Sequence, residues 1–132
     1  MNKENVLLNI LSILEGTFLY LDVFLKELID IIACSGYERR FFTQFVARLN
    51  QLRALGASAI ELKEFERIDD TIYSMHFSST TYNIRVLYGF ATSGLPLLLL
   101  AFFERGGKSK TDYTAYIPAA HARLEGYNEC SI

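Results

Sequence analysis

The sequence predicts an α+β domain in two layers, with helices first and an antiparallel meander after them. Three observations predict it. Apolar side chains recur at three- and four-residue spacing between residues 37 and 55, the period shortens to two from residue 60 onward, and the short runs so marked are separated by the turn segments "RIDD", "SSTTY" and "TSG". Helices followed by local hairpins pack as a helical layer on one face of the sheet, leaving the other face open or only partly covered.

The elements follow in order. Val6 to Ile13 is an apolar run that fits a short helix and a buried strand equally, and Gly16-Thr17 breaks it. Phe18 to Ile32 sets Leu21, Phe24 or Leu25, Leu28 and Ile32 on one side, a helical stripe that ends at the Ser35-Gly36 turn. Tyr37 to Leu55 is the clearest helix: Phe41, Phe42, Phe45, Val46, Leu49 and Leu52 form its apolar face, Arg39, Gln44, Arg48 and Gln51 its polar one, and Gly56 stands at its C-cap. Strands are predicted over Ile60 to Phe65, Thr71 to Phe77, Asn83 to Ala91 and Leu95 to Phe103. Leu97 to Ala101 is apolar on both faces, which makes its strand a central one, with Pro96 tolerated at its first residue. Asp112 to Leu124 closes the chain as a short helix, capped by Thr111 or Asp112 and limited by Pro118.

Composition narrows the class. A chain of 132 residues, 51% hydrophobic and 21% charged, is expected to form one globular domain over residues 1–132. Cys34 and Cys130 are too far apart in sequence to suggest a disulfide framework or a metal-ligand spacing, so a reducing, cytoplasmic setting is expected. Glu4, Glu15 and Asp22 interrupt the opening apolar stretch, which reads as neither signal peptide nor membrane span. A net charge of -2 argues against a dedicated duplex-DNA binder. Charge is uneven, however: from Arg85 to Lys110, Arg85, Arg105, Lys108 and Lys110 face Glu104 alone.

Arg85 is the outlier of "NIRVLYGF", where Ile84, Val86, Tyr88 and Phe90 share one face and Asn83, Arg85, Leu87 and Gly89 the other. In "TIYSMHF", Ile72, Ser74 and His76 alternate with Tyr73, Met75 and Phe77, and a hairpin turn near Thr80 sets His76 opposite Arg85. Arg105, Lys108 and Lys110 follow on "ERGGKSK", where two glycines let the chain bend toward the sheet. Arginine offers a bidentate fork to phosphate, lysine a point charge, and histidine a proton carrier near neutral pH. With no metal set, no cofactor motif and no activated nucleophile, these residue types suit metal-free RNA cleavage: removal of the 2′-hydroxyl proton, stabilisation of the charged phosphorane and protonation of the departing 5′-oxygen. Tyr82, at the turn, is a candidate for base stacking or acid/base work. His121 reads as a surface residue.

The succession "DDTIYSMHF", "NIRVLYGF" and "LLLLAFFERGGKSK", then a helix, resembles the phage-derived, HigB-like branch of the RelE/HigB toxin superfamily, whose pattern runs approximately LYELR, YRVLY, LLHGFVKKTQKTP and a helix. Upstream, "LDVFLKEL" is similar to that branch's "PVxEFLxEL" opening, and the likeness extends from about residue 5 to 127. It implies a RelE-like fold, with Val6 to Ile13 as an N-terminal strand and two helices on one face of the meander. It also implies a type II toxin, an mRNA endoribonuclease that usually acts on the translating ribosome and is silenced by a co-encoded antitoxin. Arg85 matches the family's strand arginine, Lys108 the lysine of its TQK loop and Arg105 the second basic residue of its KK pair. Tyr113 and Tyr116 are alternatives to Tyr82, since some members place a catalytic tyrosine late in the chain. Glu104 replaces the first lysine of the pair, His76 stands at the arginine of LYELR, and "GGKSK" departs from TQKTP. Those departures, with the acidic balance, define a second expectation: a toxin-like interaction protein that keeps an antitoxin partner without cleaving RNA. A small-ligand module using the same cations is a third.

Overall fold

The computed structural model of the protein describes residues 1–105 and 112–130. The first helix, α1 (Lys3–Leu14), is capped by the Asn2 side chain, which accepts from the Asn5 N–H at 2.8 Å, and it buries Val6, Ile10 and Leu14. Those three sit four residues apart, the helical alternative of the ambiguous run. The strand that the family resemblance implied over Val6 to Ile13 is therefore corrected to a helix.

The N-terminal strand lies later, as the two-residue β1 (Leu19–Tyr20), and α2 (Asp22–Ile32) begins directly after it, burying Phe24, Leu28 and Ile32. Helix α3 (Glu38–Leu55) buries Phe41, Phe45, Leu49 and Leu52 and ends at Gly56, whose φ of +55° suits a residue without a side chain. The strand expected over Ile60 to Phe65 is also corrected. Gly56–Glu61 is a 3₁₀ turn, closed by the Leu62 N–H donating to the Ala59 carbonyl at 2.9 Å, and the strand that follows is the shorter β2 (Phe65–Arg67). Strands β3 (Tyr73–Ser78), β4 (Asn83–Phe90) and β5 (Pro96–Phe103) complete the sheet, and α4 (Ile117–Cys130) closes the described chain. Pro118 occupies the first turn of α4, where a missing N–H costs nothing, so it starts the helix instead of kinking it.

The sheet order is β1-β5-β4-β3-β2, antiparallel except that β1 runs parallel to β5. Helices α1 to α3 cover one face around Phe41, Phe45, Phe77, Val86 and Tyr88. The opposite face carries a second apolar cluster of Ile72, Leu87, Leu97, Leu99, Leu100 and Phe102, roofed by Tyr113, Ala120 and Leu124. A bulge between the two clusters places Leu99 and Leu100 on the same face: Leu87 pairs with Leu100 while Tyr88 pairs with Leu98, so β5 holds one extra residue. Gly89 lets the roof settle, because a Cβ there would stand 3.0 Å from Leu124 Cδ2 and 3.1 Å from the Thr71 carbonyl oxygen.

Polar links pin α4, among them those of His121 to Asp69 and of Arg123 to Glu27. His121 Nε2 meets Asp69 Oδ2 at 2.7 Å. Burial works against the Asp69 charge, yet hydrogen bonds from the Thr71 and Ile72 N–H groups and from His121 outweigh it and hold the carboxyl below its ordinary pKa. Arg123 grips Glu27 through both guanidinium nitrogens at 2.9 Å, donates to the Leu99 carbonyl, and Glu27 accepts from the Ala101 N–H. Because β1 pairs only with Leu97 and Leu98, this ion pair occupies the edge of β5 that β1 leaves uncovered. No helix among the described residues is long and apolar enough to cross a membrane.

Tyr88 is fully buried, and its hydroxyl has no hydrogen-bond partner among the described residues. A buried hydroxyl without a partner costs about 1–3 kcal/mol. Tyr88→Phe is expected to raise stability by about 1 kcal/mol, read as a higher urea midpoint with an unchanged slope. A loss of that size would show that the hydroxyl is bonded.

Candidate functional site: a histidine, tyrosine and carboxylate beneath a strand arginine

The β3–β4 hairpin builds the site. Its register pairs His76 with Arg85 and Ser74 with Leu87, so strand alternation brings Ser74, His76 and Arg85 to the face away from α1 to α3. Glu66, in β2, pairs with Ser74 and joins them from the other side. Tyr113 enters from above, in the segment that leads into α4, its ring edge-on to Phe102 with centroids 6.1 Å apart. Phe102 in turn stacks on Tyr116 at 3.7 Å, nearly parallel, which fixes the segment from the other end.

The Tyr113 hydroxyl lies 3.0 Å from Glu66 Oε1, 3.1 Å from Ser74 Oγ and 3.2 Å from His76 Nε2. A phenol has one proton, and the carboxylate is the strongest acceptor in reach. Tyr113 therefore donates to Glu66, with Ser74 Oγ as its second acceptor, and the His76 tautomer protonated at Nε2 donates into the phenolic oxygen. In that tautomer the lone pair of His76 resides on Nδ1, which has no hydrogen-bond partner among the described residues. From the helix side, Arg48 Nε donates to the His76 carbonyl at 3.2 Å and steadies the strand. Arg85 bonds to the Asn83 side-chain oxygen and to the Ile84 carbonyl, both within its own strand.

Electrostatics keep the imidazole neutral. Burial pushes the His76 pKa down to about 4, the Arg85 charge adds to that, and Glu66 opposes it. Burial likewise raises Tyr113, so its phenol keeps its proton at neutral pH. Ser74 is fully buried, whereas the His76 side chain is 23% exposed and that of Glu66 48%. The cluster is thus closed beneath and reached by solvent along its rim. Among the described residues no group of three histidine, cysteine or carboxylate side chains is placed to hold a metal ion.

Of the residues singled out from the sequence, the fold brings Arg85 and His76 together. It does not bring Tyr82 there: that ring is buried among the helix-side residues, 4.5 Å from Tyr37, and its hydroxyl donates to Gln44 Oε1 at 2.6 Å. Arg105 lies over the Phe103 ring at 4.9 Å, and Phe103 packs against the helix-side core. Lys108 and Lys110 lie outside the described residues. Glu66 has no signal in the sequence, because the alternation before "RIDD" places its strand too early. Tyr113 carries no periodic signal and enters only through the family resemblance. His121, read as a surface residue, is the partner of Asp69. Comparison with known protein families, with curated proteins and with solved structures finds no match to the chain.

A histidine whose folded pKa lies below its unfolded one makes stability fall with acid. The unfolded chain takes up this proton near 6.5 and the folded chain only near 4, so stability is lost as pH falls through that window. In His76→Gln this component is expected to vanish, leaving a flatter stability curve between pH 6.5 and 4 by chemical denaturation. Parallel curves for the two proteins would contradict the placement of His76.

Proposed function

We propose that the protein is an endoribonuclease of the toxin type, RelE/HigB-like, that cleaves mRNA without a metal and is held silent by a co-encoded antitoxin. The single observation that carries this reading is the pairing of His76 with Arg85 on one sheet face, with Tyr113 orienting the imidazole. A phosphodiester laid along the rim meets the Arg85 charge. The neutral Nδ1 of His76 removes the 2′-hydroxyl proton, and the 2′-oxygen attacks phosphorus. The bond from phosphorus to the 5′-oxygen breaks, leaving a 2′,3′-cyclic phosphate, and solvent water protonates the departing oxygen. Arg85 stabilises the extra charge of the phosphorane, the step where a preorganised cation contributes most. Tyr113 and Glu66 act through His76 and are positioning residues. The α+β class and the β3–β4–β5 meander followed by a terminal helix support the reading, while α1 stands where the resemblance implied a strand. The ribosome as the place of action, and the cytoplasm as its compartment, belong to the same proposal.

One observation favours a second reading, an interaction protein without cleavage. The Tyr113, Glu66, Ser74 and His76 groups satisfy one another, and Arg85 is bonded within its own strand, so the cluster is also complete as a structural device.

Expression of the chain without its neighbour separates the two. The ribonuclease reading predicts growth arrest with fragmented mRNA, relieved by Arg85→Ala, with cleavage by the purified variant reduced by about 100-fold or more. The circular dichroism spectrum and melting temperature of the variant, matched to wild type, separate lost cleavage from lost folding. Harmless accumulation with intact mRNA supports the second reading, and undiminished arrest by Arg85→Ala rejects the site.

A further inference from the structure

Arg105, seated over the Phe103 ring, has company on the helix side of the same sheet end. Where the α2–α3 turn meets the β3–β4 turn, a surface pocket of about 560 Å³ is lined by Gly36, Tyr37, Arg39, Arg40 and Thr81, with Glu38 at its base. Arg39 and Arg40 are exposed, and neither guanidinium has a hydrogen bond or ion pair among the described residues. The one carboxylate in the lining is already neutralised: Glu38 is buried, and its Oε2 lies 2.7 Å from the Met1 amine. Arg105 is exposed beside Phe103, close enough for its charge to act on the Tyr37 phenol. Three guanidinium groups without carboxylate partners among the described residues are an unusual concentration on a chain of net charge -2. Tyr37 is held by its contact with Tyr82 and presents an aromatic surface among them.

The location relates this group to the cluster on the far face. Thr81 begins the return of the hairpin, and Arg85 follows four residues later, roughly 13 Å along an extended strand. A single strand of RNA crossing the hairpin tip passes from one cation group to the other. Guanidinium forks with an aromatic ring are the residue types that hold a single-stranded backbone without reading its sequence.

We propose that Arg39, Arg40 and Arg105, with Tyr37, form a second anchoring site that holds the phosphodiester backbone of single-stranded RNA flanking the position presented to Arg85 and His76. This inference rests on the ribonuclease reading, which supplies the substrate. The site contributes binding and register, and takes no part in bond cleavage.

The test uses a 2′-O-methyl single-stranded RNA of roughly ten nucleotides, which binds without being cleaved, and follows its affinity against salt. Each lost phosphate contact lowers the slope of log K against log salt by about 0.7 for a single strand. Arg39→Ala/Arg40→Ala is expected to weaken binding at low salt and lower the slope by about 1.4, while cleavage of a dinucleotide stays at the wild-type rate. Arg39→Lys/Arg40→Lys, which keeps the charges, is expected to retain most of the slope and controls for folding. An unchanged slope in the alanine variant, with wild-type RNA binding intact, overturns the anchoring site and leaves the ribonuclease reading standing. The anchoring site is overturned equally if the alanine variant binds RNA normally but loses binding to a polyglutamate peptide, which would assign the pocket to an acidic protein partner. Absence of RNA binding by the wild-type protein overturns both.

Discussion

The pairing of β3 with β4 is the constraint on which the rest depends. Six residue pairs, from Tyr73 with Tyr88 to Ser78 with Asn83, fix which side chains face which layer. Met75, Phe77, Ile84, Val86 and Tyr88 all reach the helix-side core in this register, while Ser74, His76, Arg85 and Leu87 all reach the other face. A slip of one residue would exchange the two sets, burying an arginine among phenylalanines and exposing the aromatic core to water. The apolar set is far larger than the polar one. Packing of α1 to α3 therefore enforces the register, and the position of His76 against Arg85 follows from it.

The second face is neither open nor fully closed, and the reason is the way α4 is held. Gly89 admits Leu124, Asp69 and Glu27 capture His121 and Arg123, and Phe102 stacks on Tyr116. These contacts settle the helix over Ile72, Leu97 and Leu100 at one end of the sheet. Toward the hairpin tip, among the described residues, the Tyr113 ring covers the polar group of Ser74, His76 and Glu66. The roof that completes the apolar cluster thus also sets the depth of the imidazole, deep enough to keep it neutral and shallow enough for solvent to reach it.

Much of this is legible in the sequence, and the losses have physical causes. The α3 helix and the β3–β4 hairpin are readable because each carries an unbroken period over at least six residues. The pairing of His76 with Arg85 follows from the turn near Thr80. Val6 to Ile13 is not decidable by period, since its apolar positions satisfy both; the Asn2 cap and the burial of Val6, Ile10 and Leu14 decide it. Two residues are too few to show any period, which hides β1. The bulge at Leu99 is hidden because leucine on leucine carries no face signal. Within the site, Arg85 and His76 stand out as polar residues in apolar strands. Glu66 does not, because a glutamate beside a turn is ordinary, and Tyr113 reaches the cluster through a tertiary contact that no local pattern encodes.

The proposed chemistry therefore rests on a neutral imidazole and a strand guanidinium sharing one anion-accessible rim. Nuclear magnetic resonance titration with a 2′-deoxy single-stranded oligonucleotide, following the His76 ring and the Arg85 side-chain signals, tests it most directly. Saturable shifts at both residues, with the imidazole becoming easier to protonate as the phosphate binds, are the predicted result. Binding that moves neither signal would contradict it.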